Sequence, residues 1–202
     1  MNKLIADKRS EYVIVIGADA SLPVRYAASE LAKYLCRMTG VVLPVMTDDA
    51  SSGEKEICIG TVDRSDMPEI SDLVNDGWRL KTEGTRLFVA GGNDRGVLYG
   101  VYGLLQEAFG CRFFAKDVEH VPVRSELDMP EICLTRISPF EYRSCFWYVT
   151  TSDPDLAAKQ GLNGMHHELL PYQGGSLNYY PFVHSFNHLV PLEKYGKDHP
   201  EY

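Results

Sequence analysis

The sequence predicts an α+β fold in which a mixed β-sheet carries two helices on one face. In residues 1–130, about seven short apolar or β-branched segments indicate strands, whereas only two long segments carry apolar residues at helical spacing. A doubly wound nucleotide-binding fold alternates strands and helices regularly, and this order of elements does not. With 45% hydrophobic and 24% charged residues in 202, the composition is that of a globular protein that needs no disulfide or metal to fold.

The first helix is predicted at residues 22–38, after a strand at residues 11–16. Pro23 suits the first turn of this helix, and Gly40 suits its C-terminal stop. A hairpin is predicted around the turn at Glu83. The further predicted strands are residues 41–45, 56–60, 76–83, 85–90, 111–115 and 119–123.

The second helix is predicted at about residues 95–109, after the glycine-rich segment 91–96. Glycine and asparagine are common turn residues, so this segment indicates a tight strand-to-helix turn. Asn93 or Asp94 can cap the helix, and Arg95 is predicted to form an ion pair on its first turn.

A second unit is predicted after the sheet domain. A strand at residues 140–149, a helix at 154–160 and a strand at 163–169 form the β-α-β opening of a new α/β unit. A closed (β/α)8 barrel needs about eight strands and some 250 residues, so a barrel begun here is truncated. The predicted domains are residues 1–130 (sheet domain), 131–139 (connector) and 140–202 (incomplete barrel).

Charge and hydropathy exclude several classes of partner. The 28 acidic and 20 basic residues give a net charge of −8, which argues against nucleic acid and anionic membranes and is compatible with a sugar ligand. No apolar run is long enough to span a membrane. Residues 1–11 have no apolar signal core, so we expect a cytoplasmic protein, or a periplasmic or extracellular one if a signal peptide was trimmed. The five scattered cysteines indicate free thiols.

Few residues form a pattern typical of catalysis. His184 and His188 are four apart but have no third ligand at a fixed spacing, so we predict no metal site and no cofactor. Glu168 is a candidate general acid because it lies near the end of a predicted strand. No second acid is clearly paired with it. We therefore assign no catalytic residue in this chain and keep Glu168 as a weak candidate only.

The sheet domain resembles a known family in residues 76–80, 87–107 and 110–114, which include the run Arg-Gly-Val-Leu-Tyr-Gly-Val-Tyr-Gly-Leu-Leu-Gln. These residues are similar to the N-terminal domain of family 67 α-glucuronidases and family 20 β-hexosaminidases. The resemblance implies an accessory domain that precedes a catalytic (β/α)8 barrel and does not itself carry the catalytic acids.

The second unit is similar to the start of the family 20 barrel. Residues 140–144 resemble its first strand, and the resemblance implies that Arg143 contacts sugar hydroxyls. Residues 162–169 resemble its second strand, where His166 matches the first histidine and Glu168 replaces the second. The tail, residues 184–202, looks like the bacterial family called domain of unknown function 4838, which is linked to polysaccharide use. His184 and Tyr179 complete the predicted substrate-binding set, and core packing is the alternative role for each tail aromatic.

Two functions follow from the sequence. The first is a non-catalytic N-terminal domain plus the start of the barrel of a glycoside hydrolase, whose partners are a carbohydrate substrate and the missing C-terminal barrel of the same chain. The second is a stand-alone carbohydrate-binding or interaction module without catalytic activity.

Overall fold

The computed structural model describes residues 2–51, 53–180, 183 and 185–201. Their strands are β1 (Lys3–Ile5), β2 (Val13–Ile16), β3 (Val45–Thr47), β4 (Glu56–Ile59), β5 (Trp78–Glu83), β6 (Arg86–Gly91), β7 (Arg112–Ala115), β8 (Val118–His120), β9 (Leu127–Asp128) and β10 (Cys133–Arg136). Their α-helices are α1 (Leu22–Thr39), α2 (Asp94–Glu107), α3 (Tyr148–Thr151), α4 (Pro154–Lys159), α5 (Phe186–Leu189) and α6 (Leu192–Tyr195). Two 3-10 turns lie at Met165–His167 and Pro171–Gln173.

The main sheet is mixed, as predicted, with the strand order β10-β5-β6-β4-β2-β3. Strands β3, β2, β4 and β6 are parallel, with Ile14 opposite both Val45 and Ile57. Strands β5 and β10 extend the sheet antiparallel. The remaining strands form two small pairs, β1 with β9 and β7 with β8.

Both long helices pack on one face of the sheet, which confirms the predicted arrangement. Ile14, Ile57 and Val89 alternate inwards along their strands and share one core with the buried residues of α1 and α2. The intervening residues Cys58 and Phe88 point to the opposite face, where loop residues cover them.

The helix ends follow the signals in the sequence. Ser21 accepts a hydrogen bond from the Val24 N–H at the start of α1. Gly40 ends this helix with a φ of 75°, in the left-handed region that glycine tolerates best. The helices therefore begin and end close to the predicted positions because local side chains satisfy their terminal backbone groups.

The segment expected as a connector instead carries a strand of the main sheet. β10 pairs antiparallel with β5, with Leu134 opposite Leu80. The unpaired edge of β5 provides N–H and C=O groups for this pairing, which composition and periodicity do not reveal.

The prediction of strands at residues 140–149 and 163–169 is wrong. Residues 140–147 have no regular hydrogen-bonded structure, and a 3-10 turn occupies Met165–His167. The Asn163 side chain explains the difference, because its Oδ1 accepts from the Arg143 N–H at 2.7 Å and takes the place of a strand partner. The helix predicted between these segments is confirmed as α4, capped by Asp153.

Candidate functional site

A buried carboxylate, that of Asp76, lies where residues 140–177 meet the sheet domain. Asp76 precedes β5 and has a φ of 59°, in the left-handed region where aspartate and asparagine are enriched among non-glycine residues. Its side chain is 3% exposed. The side chains that donate hydrogen bonds to it are Asn93, Arg95, Arg143 and Asn163. Donors from both parts of the chain therefore meet at one acid.

The glycine-rich turn before α2 forms one side of this site. As predicted, Asn93 caps α2: its Oδ1 accepts from the Gly96 N–H at 2.8 Å. Arg95 is the predicted ion-pair residue, and its Nη2 lies 2.9 Å from Oδ1 of Asp76. A Cβ on Gly96 would lie 2.7 Å from the carbonyl oxygen of Gly77, so glycine allows the loop before β5 to approach the helix.

Arg143 forms the other side of the site. Its Nη2 lies 2.6 Å from Oδ2 of Asp76, and its Nε lies 2.7 Å from the carbonyl oxygen of Gly161. Its Nη1 donates to the carbonyl oxygens of Asn75, Phe140 and Glu141. These contacts support a role for Arg143 in holding the two parts together, and its contact with sugar hydroxyls stays a prediction.

Two further predicted residues each pack against an aromatic ring of the segment 142–146. The ring of Tyr179 packs against Tyr142, next to Arg143, with centroids 4.6 Å apart. The ring of His166 lies 4.6 Å from that of Phe146. The structure therefore places both residues against the segment that follows the sheet domain.

Glu168 is not part of either ring pair. Glu168 is exposed, with a φ of 48°, at the end of the 3-10 turn. His184 lies outside the described residues.

Sequence reasoning did not identify His167, Asn163 or Asp76 as site residues. His167 is fully buried, with Nδ1 3.0 Å from the Thr150 carbonyl and Nε2 accepting from the Cys145 N–H at 3.2 Å. The two adjacent histidines, His166 and His167, could have indicated a site, but the strand prediction placed their side chains on opposite faces.

Comparison with known proteins identifies the sheet domain. Residues 4–104 match the family described as glycosyl hydrolase family 67 N-terminus. The chain belongs to this family. The matched residues include Asp76, Asn93 and Arg95, so one side of the buried site lies within the family 67 N-terminal domain.

The similar curated proteins are fungal. The alpha-glucuronidase of Hypocrea jecorina is 32% identical over 123 residues, which cover 55% of this chain and 14% of that protein. The probable alpha-glucuronidase A of Aspergillus terreus is 28% identical over 120 residues, again with 55% and 14% coverage. This family 67 chain therefore spans about one seventh of the length of these relatives, and the predicted resemblance to family 67 is confirmed.

Solved structures share the fold. A family GH115 4-O-methyl-alpha-glucuronidase has 18% identity and a TM-score of 0.52, over 77% of this chain and 25% of that one. An N-acetyl-beta-hexosaminidase of Streptomyces plicatus has 17% identity and a TM-score of 0.51, over 81% and 30%. The family 67 N-terminal domain thus has the α+β architecture found in several glycosidases.

A second ionic contact joins residues 140–177 to the sheet domain. Glu119 on β8 accepts hydrogen bonds from Lys159 of α4 at 2.7 Å, from Tyr34 at 2.7 Å and from Arg37 at 2.6 Å. Burial raises its pKa, but these donors outweigh burial and bring the pKa to about 2. For Asp76, burial likewise raises the pKa, and donors led by Arg95 and Asn93 bring it to about 2.

The lowered pKa values of Asp76 and Glu119 predict that the protein becomes less stable at low pH. Both folded-state pKa values lie below the ordinary values of 3.8 for Asp76 and 4.5 for Glu119, so their stabilisation is present above about pH 4.5 and is lost as protons bind. We expect the urea midpoint to stay constant between pH 7 and 5 and to fall from pH 4.5 to 3. A midpoint that does not change down to pH 3 would contradict this expectation.

Among the described residues, no group of three histidine, cysteine, aspartate or glutamate side chains could hold a metal ion. In the same part of the chain, no helix is long and apolar enough to cross a membrane. The five cysteines are free, as predicted, with Cys58 and Cys111 buried and Cys133 exposed.

Proposed function

We propose that this chain is the non-catalytic N-terminal domain of a glycoside hydrolase (residues 1–130), whose sheet is completed by β10 in the segment 131–139, followed by the incomplete start of its catalytic (β/α)8 barrel (140–202). The observation that carries this proposal is the family 67 match of residues 4–104. The name of the curated relatives, alpha-glucuronidase, supports release of glucuronic acid from a poly- or oligosaccharide as the activity of the whole protein.

The electrostatics of the described acids support a non-catalytic role. A glycosidase general acid needs a raised pKa so that it holds its proton at neutral pH. Every described carboxyl group whose pKa departs from its ordinary value is instead shifted downwards, by a cation or by hydrogen-bond donors: Glu11, Asp48, Glu56, Glu69, Asp76 and Glu119. These groups are acceptors that stabilise the fold rather than proton donors.

The exposed aromatic residues after position 140 support the start of a barrel. Trp147 is 73% exposed and Tyr148 is 80% exposed, and Phe146 beside them is exposed too. A folded domain rarely leaves adjacent large apolar side chains in water, so these residues fit a face that further chain or substrate covers. Within this proposal His166, Glu168, His184 and Tyr179 remain the substrate-binding candidates, and the tail belongs to the bacterial family of unknown function that it resembles.

The test compares this chain with a longer product of the same gene. Both are assayed with an oligosaccharide that carries an α-linked glucuronic acid, and free glucuronic acid is measured. We expect release by the longer product and none by the 202-residue chain. Release by the short chain that is lost in Glu168→Gln would overturn the non-catalytic assignment, and a stop codon directly after residue 202 would overturn the barrel.

A carbohydrate-binding module is the second candidate function, favoured by the exposure of Trp147 and Tyr148. Aromatic rings and adjacent polar groups form platforms for sugars. Calorimetric titration of the 202-residue chain with the same oligosaccharide tests this function. A Kd in the micromolar range that is lost in Trp147→Ala favours the module, whereas no heat of binding favours the accessory domain.

A further inference from the structure

We propose that Asp76 is a positioning residue: it docks Arg143 and Asn163 onto the N-terminal domain and thereby holds the segment that carries the candidate sugar-binding residues. This inference rests on the proposed function, because the segment matters only if it is part of a sugar site. The docking itself is a property of this chain and is testable without any glycan.

The two oxygens of Asp76 divide the contacts between the two parts of the chain. Oδ1 accepts from Asn93 Nδ2 at 2.8 Å and from Arg95 Nη2 at 2.9 Å, both within the N-terminal domain. Oδ2 accepts from Arg143 Nη2 at 2.6 Å and from Asn163 Nδ2 at 2.8 Å, and Nε of Arg95 reaches it at 3.0 Å. A carboxylate offers about four lone-pair sites, so this one is saturated.

The charges at the site also require the acid. One carboxylate contacts two guanidinium groups, those of Arg95 and Arg143, which are largely buried with 10% and 17% of their side chains exposed. Removing a partner from a buried ion pair is strongly destabilising because it leaves the remaining charge uncompensated. Without the carboxylate charge, the Arg143 guanidinium keeps only one hydrogen bond to the N-terminal domain, that to the Asn75 carbonyl, and its positive charge is uncompensated.

Hydrogen bonds continue from Asp76 through Asn163 to the stretch that precedes Tyr179. Asn163, held through its Nδ2, accepts the Arg143 N–H on its Oδ1 and donates its own N–H to the Arg143 carbonyl at 3.0 Å. The Asn163 carbonyl accepts the Leu177 N–H at 2.7 Å, two residues before Tyr179. Three separate stretches of residues 140–179 thus meet around the amide that Asp76 orients.

The backbone at residues 75–76, where the segment docks, has a conformation that neighbouring contacts must stabilise. Asn75 and Asp76 are consecutive non-glycine residues in the left-handed region, with φ of 54° and 59°. Such conformations cost energy and persist where surrounding contacts determine them. Asn75 also bonds the segment directly, with its carbonyl accepting from Arg143 and its Nδ2 donating to the Ser138 carbonyl at 3.0 Å.

Hydrogen exchange measured by mass spectrometry on the 202-residue chain tests the proposal. In Asp76→Asn we expect the amides of residues 143 and 163–167 to exchange roughly 100-fold faster, and those of β4 and α1 to stay within about threefold of wild type. Asp72→Asn is the matched control: this acid lies in the same loop, is half exposed and pairs with Arg79 of its own domain. The control is expected to match wild type throughout.

Arg143→Gln is the second variant, for the case that Asp76→Asn does not fold. It removes the cation on the segment side and leaves the N-terminal domain unchanged, so the same local loss of protection is expected. Unchanged protection at residues 163–167 in either variant, or an equal loss of protection in β4 and α1, would overturn the positioning role. Because no sugar is used, these results are independent of whether the whole protein releases glucuronic acid.

Discussion

Glu56→Gln is expected to lower the free energy of unfolding by about 3 kcal/mol, since breaking a buried charge network strands the opposite charges. Glu56 begins β4, is fully buried, and lies on the face of the sheet opposite the helices. Its carboxylate accepts from Arg64 Nε and Nη2 at 2.8 and 2.7 Å, from Arg86 Nε at 2.9 Å and from Ser51 Oγ at 2.6 Å. Burial raises its pKa, but these donors bring it to about 2 against an ordinary 4.5.

Urea unfolding followed by circular dichroism at pH 7 measures this effect. Glu11→Gln is the control, because it makes the same chemical change in an exposed ion pair with Lys55. Exposed pairs contribute about 0–1 kcal/mol, so the control is expected to unfold close to wild type. Equal losses in the two variants would show that burial of the Glu56 network does not matter for stability.

Gly92→Ala is expected to destabilise the protein by about 3 kcal/mol or more. A Cβ at this position would lie 1.7 Å from the carbonyl oxygen of Leu73 and 2.7 Å from its carbonyl carbon, and both are backbone atoms that no side-chain rotation can move. The Gly92 N–H also donates to the Gly77 carbonyl at 3.0 Å. The methyl group therefore displaces the loop that presents Asp76, and the donors around that acid lose their partner.

Thermal and urea unfolding of the variant measure the loss, with Gly53→Ala as control. A Cβ on Gly53 meets no atom closer than the Lys55 nitrogen at 4.0 Å, so we expect a change within about 0.5 kcal/mol. A stable Gly92→Ala protein with wild-type exchange around Asp76 would contradict the steric argument.

The glycine-rich turn before α2 shows which contacts can be predicted from neighbouring residues and which cannot. Its Asn93 cap was predicted correctly, because the cap and the Gly96 N–H that it accepts lie within one helical turn. Arg95 does form an ion pair, as predicted. The partner of Arg95 was not predicted. Asp76 is 19 residues earlier, and only the close approach of two loops brings it there.

The segment after the sheet domain shows the opposite case. Apolar and β-branched residues predicted strands at residues 140–149 and 163–169, yet a strand also needs a neighbouring strand for its N–H and C=O groups. In this chain the backbone of Arg143 bonds to Asn163 instead, through side chain and main chain. In the predicted connector, by contrast, β10 forms because β5 has a free edge whose N–H and C=O groups pair with it.

Amino-acid sequence alone was sufficient for the α+β class, the helices α1 and α2, the positions of the strands β2, β4, β5 and β6 along the chain and the family 67 resemblance. These features depend on periodicity, caps and turn residues, which act over a few neighbouring positions. Tertiary structure decided the buried partners, namely the bonds of Asp76 to Arg143 and Asn163 and of Glu56 to Arg64 and Arg86. A charge is stable in the interior only beside its counter-charge, and folding can bring that counter-charge from a residue far away in the sequence.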